Sequence, residues 1–217
     1  MTSRPPRDFR VVLFDLDQTL LDSADLVVTA FVDTCRVLLG RTLNHEDTLR
    51  SWAWPVRDRF HELAPERADE LTRDYLRRYL EMHDHRVRLF PGVPDVLDTL
   101  RARGYLLGIV TSKRRATTDA AVRLFGLDRW CGVIVVDEDV RRHKPDPEPV
   151  VLAARRLGVA AAEALMVGDS AEDITAGRGA GAGTAAALWG AIRPDELLGA
   201  RPDHRLERPD VLLRVCR

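Results

Sequence analysis

The sequence predicts an α/β fold: a doubly wound parallel sheet interrupted, after its first strand, by an all-helical insertion. Three observations carry that expectation. Short continuous apolar runs recur along the 217 residues, as strands buried on both faces require. Amphipathic helical patterns alternate with those runs, and several stop at a glycine. Between about residue 23 and residue 88 the alternation fails, and only helical patterns occur.

The elements follow in order. Val11–Phe14 is a strand that runs into Asp15. Ser23 is placed to cap a helix whose apolar positions include Leu26, Val27, Ala30, Phe31, Thr34 and Leu38, and which stops at Gly40. Pro65 suits the first turn of a long helix with Leu71, Tyr75, Leu76, Tyr79 and Leu80 on one face. A helix over 93–103 leads to a strand over 105–110, which runs into Thr111 and Ser112. The helix Arg115–Phe125 leads to a strand over 133–136, which runs into Asp137. A helix over 147–157 leads to a strand over 164–167, which runs into Gly168 and Asp169. A helix over 171–180 and a weaker, alanine-rich strand over 184–189 complete the pattern. Residues 1–20 and 89–217 are thus expected to form the core, and 21–88 a helical cap domain. In doubly wound sheets ligands bind beyond the carboxyl ends of the strands. Asp15, Thr111, Asp137 and Asp169 all fall there.

Composition narrows the function. The chain carries 33 basic and 34 acidic side chains, a net charge of −1. A domain that neutralises many phosphates is usually basic overall, so no nucleic-acid partner is expected. Cys35, Cys131 and Cys216 are odd in number and widely spaced, which fits small buried hydrophobes better than disulfides or a zinc site. Residues 1–10 contain no apolar signal region, and no apolar run reaches the roughly 18 residues of a membrane span. A cytoplasmic protein without a membrane partner, monomeric or homodimeric, is the expectation.

Four short segments carry chemistry. In Asp15-Leu16-Asp17-Gln18-Thr19 the two aspartates share one side of an extended segment. Two carboxylates at one strand end repel each other unless a cation lies between them. Gly168-Asp169-Ser170-Ala171-Glu172-Asp173 brings a third carboxylate to the same edge, the oxygen-rich ligand type that Mg²⁺ takes. Ser170 also suits a helix N-cap, with Asp173 in the first turn. Thr111-Ser112-Lys113 offers hydroxyls and backbone N–H groups at a strand-to-helix turn, suited to phosphate oxygens. His143-Lys144-Pro145-Asp146-Pro147 stiffens the approach of a lysine. Only Lys113 and Lys144 are lysines; every other Lys/Arg position is arginine.

Together, Asp15-x-Asp17-x-Thr19, Thr111, Lys144-Pro145-x-Pro147 and Gly168-Asp169-Ser170-x-x-Asp173 resemble the four signature motifs of the haloacid dehalogenase-like hydrolase superfamily. The insertion resembles its helical type-one cap, and Phe90-Pro91-Gly92-Val93 is similar to the phosphoglycolate phosphatase and bacterial pyrophosphatase branch. The resemblance implies a Rossmann-like core, a Mg²⁺ cofactor and a small phosphorylated metabolite as substrate, cleaved through an aspartyl-phosphate. It implies Asp15 as nucleophile and Asp17 as general acid and base, with Lys144 pairing Asp15 and the phosphate. Thr111 and Ser112 would hold phosphoryl oxygens. Asp15, Asp169 and the backbone carbonyl of Asp17 would hold the metal, with Asp173 orienting Lys144 or water behind them. One departure stands out: Gln18 occupies a position the family usually gives to glycine, where it alters the turn or reaches toward substrate. Trp54 and Arg57, in the cap, are candidates for contacting the leaving group. Phosphoglycolate is the leading substrate expectation. Inorganic pyrophosphate, a phosphoglucomutase-like transfer and, from another class, a phospho-accepting signalling switch are the alternatives. Asp17 and the large insertion argue against the switch, which needs a slowly hydrolysed aspartyl-phosphate.

Overall fold

The computed structural model describes residues 9–44, 48–49 and 55–217. Six parallel strands form one sheet: β1 (Val11–Phe14), β4 (Leu106–Val110), β5 (Cys131–Val135), β6 (Ala164–Gly168), β7 (Gly183–Ala187) and β8 (His204–Leu206). Their order across it is β5-β4-β1-β6-β7-β8. The short strands β2 (Leu21–Asp22) and β3 (Arg88–Leu89) pair antiparallel where the chain leaves and re-enters this core.

The sheet is buried on both faces, which is why its strands read as unbroken apolar runs. Val12 and Phe14 of β1 join Leu107, Ile109, Leu165 and Val167 in one cluster. Val11 and Leu13 point the other way, into a cluster with Val110, Val133, Val135 and Met166. Helix α4 (Val93–Ala102) covers the first face with Val96, Leu97 and Leu100. Helices α6 (Glu148–Arg156) and α7 (Ala171–Gly179) cover the second with Val150, Ala153 and Ala176. Helix α5 (Arg115–Phe125) adds Ala121 to the first cluster and stops at Gly126, whose φ of 61° makes the left-handed C-cap. Each fully buried aliphatic side chain contributes about 1.5–3 kcal/mol of transfer free energy.

The chain moves outward from β1 to β4 and β5, returns to β6 on the other side of β1, and continues to β7 and β8. Strand order therefore reverses at the β1–β6 pair, where such sheets open a crevice at their carboxyl ends. The Asp15 N–H donates to the Val167 carbonyl at 2.9 Å, so the residues following β1 and β6 stay adjacent.

Helices α1 (Ala24–Leu39), α2 (Val56–Leu63) and α3 (Ala68–Arg86) make up the described part of the insertion. Leu26, Ala30, Phe31, Phe60, Leu71, Tyr75 and Tyr79 form its interior, with Phe31 and Phe60 stacked at 4.6 Å. Helix α3 also packs on α5, which brings the insertion over the carboxyl edge of the sheet. The long helix begins later than expected: Pro65–Arg67 is a 3₁₀ turn and α3 starts at Ala68. Helices α8 (Pro194–Gly199) and α9 (Leu212–Val215) finish the chain. No helix among the described residues is long and apolar enough to cross a membrane. Cys35, Cys131 and Cys216 are free and buried.

Candidate active site

A cleft of about 440 Å³ opens between the sheet edge and the insertion. All four strand-end residues named from the sequence line it: Asp15, Thr111, Asp137 and Asp169. Asp17, Ser112 and Lys144 line it as well. From the insertion come Val27, Arg57, Arg59, Tyr75 and Leu76, among others.

At the floor, the Lys144 ammonium donates to Asp15 Oδ1 at 2.7 Å, to Asp173 Oδ1 at 2.5 Å and to the Val110 carbonyl at 3.2 Å. All three side chains are buried. Asp173 is fixed by its own helix terminus: its Oδ2 accepts from the Ser170 N–H at 3.1 Å and from the Ser170 hydroxyl at 2.7 Å. Ser170 Oγ in turn accepts from the Asp173 N–H, completing a capping box at the start of α7. Gly168 leaves room for this: a Cβ there would lie 2.3 Å from the Asp173 carboxyl carbon.

Asp169 accepts from the Thr19 hydroxyl at 2.9 Å. Carboxylate oxygens of Asp15, Asp169 and Asp173 lie within 4.8 Å of one another. Burial raises the Asp15 carboxyl to about 7, against the pull of Lys144. Burial, and then the Asp15 charge, raise Asp169 well above the ordinary carboxylate range. Burial alone would lower Lys144, but Asp15 and Asp173 hold its ammonium above its usual value. One cation thus serves three buried carboxylates, which leaves the pocket short of positive charge. An all-oxygen donor set in such a pocket fits Mg²⁺. Both oxygens of Asp173 are already bonded, so Asp15 and Asp169 are the carboxylates open to a metal.

Asp17 faces the cleft from the other side. Its Oδ1 accepts from the Ser23 hydroxyl at 2.6 Å, and Lys113 Nζ donates to both oxygens at 2.8 and 2.7 Å. Lys113 also sits 4.4 Å over the Tyr79 ring. No role was expected for Lys113, yet it is the cation that holds Asp17. Its scarcity in an arginine-rich chain was the available signal. The Lys113 N–H donates to Thr111 Oγ1 at 3.2 Å, which fixes the turn that carries Ser112.

Two expectations change. Ser23 begins α1, but its hydroxyl goes to Asp17 and caps nothing. Gln18 caps instead: its Oε1 accepts from the N–H groups of Ser23 at 2.9 Å and Ala24 at 3.1 Å. Gln18 keeps the left-handed conformation, φ 60°, that glycine would take most easily. Its Nε2 donates to the Gly190 carbonyl at 3.4 Å, and it is absent from the cleft lining. The structure places Gln18 in the turn and at the cap of α1. Arg57 lines the cleft at its rim and pairs with Asp69 at 3.0 Å, both side chains more than 60% exposed. Trp54 lies outside the described residues.

A buried Asp–Lys–Asp chain at the switch point of a parallel sheet, with Asp17 and Asp169 on the same cleft, suits an enzyme that handles phosphoryl groups. The chain belongs to the haloacid dehalogenase-like hydrolases, whose family model matches residues 12–187, and it is a phosphate hydrolase. Among its relatives are proteins named pyrophosphatase PpaX. That of Bacillus velezensis is 37% identical over 94% of each chain. That of Anoxybacillus flavithermus is 36% identical over 96% of this chain and 97% of its own. A crystal structure of a Lactobacillus plantarum protein, provisionally named phosphoglycolate phosphatase, superimposes with a TM-score of 0.86. It is 25% identical and covers 95% of this chain and 99% of its own.

Proposed function

We propose that this hydrolase is a Mg²⁺-dependent phosphomonoesterase for a small phosphorylated metabolite, acting through an aspartyl-phosphate on Asp15. The supporting observation is the position of Asp15: one carboxylate oxygen is held by Lys144 at 2.7 Å, and the residue lines a cleft shared with Asp17, Thr111 and Ser112. In this reading the other Asp15 oxygen attacks phosphorus as the bond to the leaving oxygen breaks. Asp17 gives that oxygen a proton. Asp17 then takes a proton from water, whose oxygen displaces Asp15 and releases inorganic phosphate. Thr111 and the Ser112 N–H hold phosphoryl oxygens, and Lys144 limits repulsion between Asp15 and the incoming anion. Asp173 orients Lys144. Asp15, Asp169 and the backbone carbonyl of Asp17 would hold Mg²⁺, which when bound supplies positive charge beside the transferring group. Arg57 meets the leaving group at the rim, and Trp54 is the second candidate for that contact.

Phosphoglycolate is the first substrate to test. Inorganic pyrophosphate is the second reading, favoured by relatives that carry the pyrophosphatase name over nearly their whole length. Phosphate release from a metabolite panel, with and without Mg²⁺, tests both. Release from at least one small phosphate, lost without Mg²⁺ and lost in Asp15→Asn, is expected. No release from any phosphate, or full activity in Asp15→Asn, would contradict the reading.

A further inference from the structure

The cleft holds a cation that this chemistry does not use. Arg59, on α2, lines the cleft yet is only 3% exposed. Its guanidinium lies 3.9 Å over the Phe31 ring, and its Nη2 donates to the Thr48 carbonyl at 2.8 Å. Its Nε is buried without a hydrogen-bond partner, and no carboxylate among the described residues pairs with it. Burial pulls the guanidinium below its ordinary value, and Tyr75 and Cys35 offset this only in part. Arg57, two residues earlier, differs in both respects: it is exposed and Asp69 meets its charge.

A buried charge without an opposite charge costs far more than one carbonyl and one aromatic face return. Stability alone gives no reason to keep an arginine there. Among the described residues no anion meets this charge, and the space it lines is the cleft. Tyr75 lines the same space, within electrostatic reach of both Arg59 and Lys113. Lys113 is already committed to Asp17. Arg59 has no carboxylate partner among the described residues.

We infer that Arg59 binds an anionic group on the leaving part of the substrate. The substrate class is then a small phosphate whose leaving group itself carries a carboxylate or a second phosphate. This rests on the phosphohydrolase reading and narrows it. Arg59 is a specificity residue and takes no part in bond breaking.

Steady-state kinetics of Arg59→Ala and Arg59→Lys test this on three substrates. Phosphoglycolate carries a leaving carboxylate, pyrophosphate a leaving phosphate, and para-nitrophenyl phosphate neither. The expected result is a fall in kcat/KM of about 10- to 100-fold on one anionic substrate, mostly through KM, the loss of a hydrogen bond to a charged group. Turnover of para-nitrophenyl phosphate stays unchanged, and Arg59→Lys recovers part of the loss. The substrate that suffers tells carboxylate from phosphate. Equal losses on all three substrates would show a merely structural arginine and overturn the inference, as would no loss on either anionic substrate. If Arg59→Ala does not fold, Arg59→Met fills the slot beside Phe31 and gives the same readout. A wild-type enzyme silent on every phosphate would instead remove the phosphohydrolase reading, a failure seen before any variant is made.

Discussion

Asp17 is tethered by Ser23 and, through both of its oxygens, by Lys113, whose side chain is 8% exposed. Removing one partner of so buried a pair strands the other charge. Lys113→Met is therefore expected to lower both Tm and kcat, the latter about tenfold, the cost of one charge-assisted contact. Adding Asp17→Asn to Lys113→Met should recover Tm but not kcat, and a thermal-melt double-mutant cycle checks this. Gln18 gives a second pair of variants. Gln18→Ala keeps the left-handed backbone and loses the cap on Ser23 and Ala24, so a loss of about 1–2 kcal/mol in chemical denaturation is expected. Gln18→Gly loses the same cap but relieves the backbone, so it should lie closer to wild type. The motif residues were legible because their spacing is local. Lys113 was visible only as a rare lysine, since its partner Asp17 lies 96 positions away. The burial of Arg59 was not legible: positions two apart on a helix lie on nearly opposite faces, and only packing tells which face is inward.

At the level of elements, the sheet was readable wherever both faces are buried. Val11–Phe14 matches its apolar run, and β4 and β6 differ from theirs by one residue. β5 begins at Cys131, ahead of the apolar run, because the exposed Gly132 interrupts the pattern. β8 escaped notice because it is a three-residue edge strand with only Leu206 buried. The β2–β3 pair escaped because two-residue strands carry no periodicity. That pair is the stalk on which the insertion stands. The β6–α7 junction yields a sharp test. Gly168→Ala would drive a methyl group into the Asp173 carboxyl, which holds Lys144. A drop in kcat of at least about 100-fold, comparable to losing one preorganised charge contact, is expected with the fold retained by circular dichroism.

Across the whole molecule, buried ionisable groups set the pH response. Burial pushes the thiols of Cys35 up to about 11 and of Cys131 and Cys216 up to about 12, against partial opposition from nearby arginines. Burial also raises the Tyr75 and Tyr79 phenols. Above the ordinary thiol value of 9.0 the unfolded chain has lost protons that the folded chain keeps. The contribution of these thiols and phenols should therefore be full below pH 9 and fall as pH climbs toward 11, read as a declining urea midpoint. A flat midpoint would contradict the burial of these groups. The carboxylates at the sheet edge respond to metal instead. Mg²⁺ should raise the Tm of the wild type, by about 2–3 kcal/mol of linkage at a hundredfold excess over Kd. Asp169→Asn should lose that increment yet be no less stable without metal, because it removes a buried charge beside Asp15.

The central claim is a covalent phosphoryl group on Asp15. Intact-mass and peptide mapping of Asp17→Asn, quenched after incubation with a turned-over phosphate and Mg²⁺, test it most directly. The expected result is one added phosphoryl group on the peptide that contains Asp15, absent when Asp15 is also changed to Asn. Wild-type turnover in Asp17→Asn with no adduct on that peptide would contradict it.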